Sequence, residues 1–262
     1  MSVDVVKATT SACTAFLGIN GLTLLLMQDR ILEDLHKIDQ SNDPPESRKI
    51  CRGIIHVNGA ISLGQAFLLH VTSVAKNPIS KNNAISLSLL PRLAVYAFYG
   101  WRPTALAVLL VALASNSRYS LGPTMISVFA ILPPSYLVLS GKNAAQRLFH
   151  VDPGCKGESS LLVFPNLRPL RPDHGKVEAF TRFLANEHLT SAIFLLLVSI
   201  EQPIHYAAGM TSLLWVFLML EMGYVSQTWR LVGAKGPTSQ LIHAVLSALF
   251  ATGFLWDEMR WP

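Results

Sequence analysis

Eight apolar runs, most of them close to the length a helix needs to cross a bilayer, dominate this sequence. They cover residues 9–27, 54–75, 84–99, 104–115, 121–140, 182–200, 203–224 and 238–256. A hydrocarbon core about 30 Å thick takes about 20 apolar residues in a helix. Lipid also forces every backbone N–H and C=O to find its partner within the protein, so such runs fold as helices. Turn chemistry separates them: Lys76-Asn77-Pro78 after the second, Gly100-Trp101-Arg102-Pro103 after the third, and Gly236-Pro237-Thr238 before the eighth. Charge agrees, because only 14% of the 262 residues are charged, against about 25% in a soluble domain. A soluble fold that poor in charge would expose large apolar patches.

The expected fold class is therefore an all-α polytopic transmembrane helix bundle of about eight helices. It comprises a helical half over 1–140, a Pro/Gly-rich loop over 141–178 and a second helical half over 179–262. The fourth run is the short one, with ten uninterrupted apolar residues, and suits a re-entrant helix as well as a span. The distribution of basic residues arbitrates. If all eight runs cross, one face carries fifteen of the 21 Lys and Arg, the other five, and Arg92 alone falls inside a run. If the fourth run alone fails to cross, the split weakens to twelve and eight. Basic residues concentrate on the cytoplasmic side, so eight crossings are expected, with six crossings plus a re-entrant pair as the fallback. Both termini then lie on the non-cytoplasmic side. The first 27 residues lack a clear cleavage site and read as a retained helix. Trp101, Trp229, Trp256 and Trp261 sit at helix ends, as interfacial indoles do, while Trp215 is in mid-helix.

The net charge of +5 does not point to nucleic acid, since the basic residues lie in loops between apolar runs. Cys13, Cys51 and Cys155 are far apart, without metal-site or disulfide-framework spacing. No cofactor is implied and no metal site is expected.

Chemistry has to come from polar residues inside the runs. Asp and Glu are absent from 47–151, so Arg92, beside Pro91, has no carboxylate near it in sequence. An arginine at the membrane centre costs at least about 2.5 kcal/mol, which predicts a partner across the halves, Glu187 or Glu221. Charge reversal of that pair would test it. Under eight crossings, His56 and Asn58 at the start of helix 2, Asn186, Glu187 and His188 early in helix 6, Gln240 and His243 early in helix 8, and Glu221 and Tyr224 at the end of helix 7 share one depth near the cytoplasmic face. Intramembrane ionisable groups are functional candidates, and imidazole with carboxylate moves protons. Glu187, His188 and His243 are the catalytic candidates; His56, Asn58, Arg92, Asn186, Glu221 and Tyr224 are binding candidates. The polar stripe on helix 6 fades after Ser191, which suggests a shallow vestibule. Three functions fit: a membrane-embedded enzyme acting on a lipid-like substrate, a transporter or channel for a small solute or ion, and a non-catalytic scaffold or assembly factor. The lipid bilayer and a lipid-like or small-molecule ligand are the expected partners.

Overall fold

The structure, a computed structural model, describes residues 2–35, 45–74, 78–98, 102–115, 175–200, 202–225 and 236–256. These residues are helical throughout apart from short connections, and they contain no strand. The fifth apolar run with Pro133 and Pro134, the loop up to residue 174, and Trp101, Trp229 and Trp261 lie outside the described residues.

Eight α-helices are described: α1 Ser2–Leu26, α2 Pro45–Val74, α3 Pro78–Ser88, α4 Leu90–Phe98, α5 Arg102–Ser115, α6 Gly175–Ser199, α7 Ile204–Leu220 and α8 Gly236–Phe254. A short turn, Gln28–Arg30, and a π turn, Ile31–Leu35, follow α1; a second π turn, Glu221–Val225, extends α7. Three stretches are long and apolar enough to cross a membrane: Val5–Leu26, Cys51–Val74 and Ile204–Val225. Large apolar side chains such as Ile19, Phe98, Phe217 and Leu249 point outward, each more than 60% exposed. An outer surface of that kind belongs against lipid.

The sequence reading missed several boundaries, for physical reasons. Helix 2 starts at Pro45, not at residue 54, so His56 and Asn58 lie about three turns in. At 30 residues it is about 45 Å long, well beyond a hydrocarbon core. Its charged first turns fold against the end of α1 instead of forming a loop: Arg48 reaches Asp29 at 3.6 Å and Glu33 at 2.5 Å, and Arg52 reaches Asp29 at 3.2 Å. Helix 6 likewise begins at Gly175, inside what reads as loop. The third run is two helices, broken at Leu89. Pro91 has no N–H to continue the ladder, Leu89 N–H turns back to the Ser86 carbonyl at 3.3 Å, and the ladder resumes with Leu93 N–H on Leu89. The break is seated on α2, where a Cβ at Gly64 would collide with the Ser88 carbonyl.

Packing order is legible from the contacts. Helix α1 packs on α2, α2 on α6, α6 on α7, α7 on α8, and α8 returns to α1, so five helices close a ring. Glycines set the tight seams. A Cβ on Gly59 of α2 would lie 2.9 Å from the Gly21 carbonyl of α1, and a Cβ on Gly253 of α8 would collide with the Thr9 side chain of α1. Helices α3, α4 and α5 pack outside the ring, chiefly on α2 and on one another.

Two apolar clusters cap the ring interior. One gathers Leu32, Ile54, Ile61, Tyr96, Phe180, Leu184, Met219 and Ala244; the other gathers Cys13, Leu68, Ile85, Phe194, Val198, Ala207 and Phe254. Membership gives the direction of each helix. α2, α6 and α8 run from the first cluster to the second, while α1 and α7 run back. α3 starts at the second cluster, α4 delivers Tyr96 to the first, and α5 carries Ala112 to the second. The ion-paired arginines, Arg48, Arg52 and Arg182, mark the first end as the charged one.

Candidate functional site

Each ring helix turns one face inward, and that face mixes apolar and polar side chains at helical spacing. On α2 it is Ile55, Asn58, Ser62, Gln65 and Leu69; on α6 it is Phe180, Phe183, Glu187, Thr190 and Phe194. Steps of three and four residues keep a single helix face in register. α1 adds Phe16, Asn20 and Thr23, α7 adds Thr211, Ser212 and Trp215, and α8 adds Gln240, His243, Ser247 and Phe250. Polar side chains of this size do not interdigitate to close a dry core. The five faces instead leave a partly enclosed cavity of about 320 Å³, within the range of small-molecule sites.

Aromatic pairs close two of its corners. Phe183 of α6 meets Trp215 of α7 edge-on with centroids 5.6 Å apart, and Phe16 of α1 meets Phe250 of α8 at 5.7 Å. This accounts for Trp215, the indole that falls in mid-helix: it is cavity wall, not interfacial anchor.

The lining carries buried acceptors that lack a donor. Thr190 Oγ1 donates its hydrogen to the Asn186 and Glu187 carbonyls at 2.9 and 3.1 Å, and Thr211 Oγ1 donates to the Ala207 carbonyl. Both hydroxyls therefore offer lone pairs alone to other groups. Asn58 Oδ1 and Gln240 Oε1 are buried acceptors without a partner, on side chains 2% exposed. The Glu187 carboxylate adds further acceptors. Among the described residues no Lys or Arg stands in the lining.

The sequence-derived candidates divide. Glu187, His243, Asn58 and Gln240 share the cavity. His188 does not, because one residue further along α6 is a rotation of about 100°. Its Nδ1–H donates to the Leu184 carbonyl at 2.8 Å, which leaves Nε2 as acceptor for the Tyr96 hydroxyl at 2.5 Å. Both ring nitrogens thus tie α6 to itself and to α4. Asn186 is turned the other way, its Nδ2 donating to the Met222 sulfur at 3.0 Å. Glu221 pairs with Arg182 at 3.7 Å at the charged end. His56 lies beside the Gln28 side-chain amide, its Nε2 3.2 Å away, next to the Arg52–Asp29 pair. Tyr224 is on the exposed side of the π turn.

Arg92 does cross the halves, but to a hydroxyl. Its Nη2 donates to Ser191 Oγ of α6 at 2.6 Å, and Nε is buried without a partner. Glu187 is one turn before Ser191 and makes no direct ion pair with Arg92. Arg92 so stands behind the cavity wall, outside the lining.

Asn20, Ser62, Gln65, Thr211 and Ser247 escaped the sequence reading, which followed ionisable groups. The signal was present as the polar spacing 58, 62, 65 on helix 2. Among the described residues no three His, Cys, Asp or Glu side chains gather closely enough to hold a metal ion. Compared with known proteins, the chain matches no protein-family model, no curated protein and no solved structure.

Proposed function

We propose that this chain is a multi-pass membrane protein carrying an enzyme site for a lipid-like substrate, with Glu187 and His243 as the acid–base groups. One observation carries the reading: a carboxylate and an imidazole from two different helices face one cavity whose walls also hold orphaned amide oxygens. A positioned base accelerates proton removal from a bound hydroxyl, and the paired group returns a proton to the leaving atom. The aromatic walls suit an apolar body, and the outward apolar faces of α1, α7 and α8 put lipid next to the ring. His188 drops out of the catalytic set, since both its nitrogens are already bonded within the protein. The parallel course of α2 and α6 supports an odd number of crossings between them, as eight or six crossings require. The basic, ion-paired end is then cytoplasmic, with both termini opposite.

The test compares lipid extracts of membranes that express the wild-type chain and the Glu187→Gln and His243→Ala variants at equal level, by untargeted mass spectrometry. At least one lipid species should differ between wild type and both variants, with the change in its rate of formation or loss about 100-fold or more. Identical profiles in all three would leave the chain without a reaction.

A transporter is the second reading. It is favoured by the length of the lining on α1 and the turn after it, from Cys13 to Ile31, about 27 Å at helical rise. In that case wild-type vesicles would take up a solute that the two variants also take up.

A further inference from the structure

The unpaired acceptors of the cavity say what kind of head it accepts. We infer that the ligand is a neutral lipid whose head donates hydrogen bonds through hydroxyl groups, and that phosphorylated heads are rejected. The inference rests on the substrate reading above and narrows it.

Asn58 Oδ1 and Gln240 Oε1 are buried and unpaired. A buried acceptor left without a donor carries the full desolvation cost of that group. Thr190 and Thr211 present lone pairs only, since their hydrogens are used on their own helix. Four acceptors on α2, α6, α7 and α8 therefore ask for donors. A hydroxyl on the head supplies such a donor. A phosphate bears at least one negative charge and, at the unpaired Asn58 and Gln240 oxygens, would meet acceptors. It also needs Lys, Arg or a row of backbone N–H groups, and among the described residues the lining holds no Lys or Arg. Among the described residues Arg92 is a nearby cation, but it sits outside the lining, bonded to Ser191. The body of the ligand lies against Phe16, Phe183, Trp215 and Phe250.

The experiment uses the full chain in nanodiscs of a zwitterionic lipid and two probes with the same chains, dioctanoylglycerol and dioctanoyl phosphatidate. Binding is read from tryptophan fluorescence and from melting temperature. Dioctanoylglycerol should bind saturably and at least tenfold more tightly than its phosphate. Dioctanoylglycerol has one hydroxyl to donate, so at least one of Asn58→Leu and Gln240→Leu, which remove the orphan acceptors without adding charge, should weaken it about tenfold, as one hydrogen bond is worth. Equal or tighter binding of the phosphatidate overturns the inference, and so does saturable binding of neither probe. If the variants melt before they can be measured, the wild-type comparison of the two probes still decides. The enzyme reading fails separately: dioctanoylglycerol that binds but leaves lipid profiles identical in wild type and Glu187→Gln would keep the head chemistry and remove the reaction.

Discussion

Glu187 and His188 are neighbours in sequence with different fates. Both are ionisable groups in an apolar run, which the sequence reveals; the helical rotation between them, which sends one to the cavity and the other to Tyr96, depends on where the other helices sit. The two predictions at this scale separate the fates. Tyr96→Phe removes the donor to His188 Nε2, worth about 1 kcal/mol, and should lower the melting temperature by about 2–4 °C while dioctanoylglycerol still binds. Ser191→Ala takes the acceptor from a buried guanidinium and should cost about 1–3 kcal/mol, seen as reduced stability in urea or heat. If Ser191→Ala is neutral, Arg92 is held by something other than this bond. Arg92 also marks how far the sequence went. The absence of acids in 47–151 demanded help from the other half, and help does come from α6. That it would be a serine hydroxyl, with no direct ion pair to Glu187, required the depth of each side chain.

At the scale of elements, hydropathy located apolar stretches better than it located helix ends. α2 extends nine residues ahead of its apolar run because Arg48 and Arg52 find Asp29 and Glu33 beside them, a tertiary fact invisible to a window along the chain. The break before Pro91 was announced by the proline itself. The break is seated at Gly64, although a small residue can serve any close neighbour. A pair of substitutions separates close approach from mere helix flexibility. A Cβ at Gly64 meets the Ser88 carbonyl, a backbone atom that cannot swing aside, whereas Gly18 has nothing within 4 Å. Gly64→Ala should lower the melting temperature and the yield of folded protein. Gly18→Ala should leave both unchanged or raise stability by up to about 1 kcal/mol, the helix-propensity difference. Equal effects at the two sites would mean that the α2–α3 seam is looser than described.

For the whole molecule, the order of helices around the ring was hidden while their directions were not. Ring closure depends on α1 meeting α8 through Thr9 and Gly253, a contact between residues at opposite ends of the chain that no local pattern encodes. Direction, in contrast, follows from crossing parity, and parity is weighted by the uneven spread of basic residues. The two lines of reasoning meet at three exposed positions. Lys7 and Trp256 lie toward the same end of the ring, and Arg30 lies at the charged end. With Cys13, Cys51 and Cys155 changed to alanine, single cysteines at these positions can be tagged in intact cells by a membrane-impermeant maleimide. Lys7→Cys and Trp256→Cys should react from outside the membrane that holds the protein, and Arg30→Cys only after that membrane is made permeable. Reversal of all three would keep the ring and invert the bundle, which would set the cavity's charged end, and the polar head it is proposed to hold, on the opposite side. Labelling of Lys7 and Trp256 from different sides is incompatible with α1 and α8 sharing a seam as antiparallel neighbours, and would undo the cavity together with every role assigned to its walls.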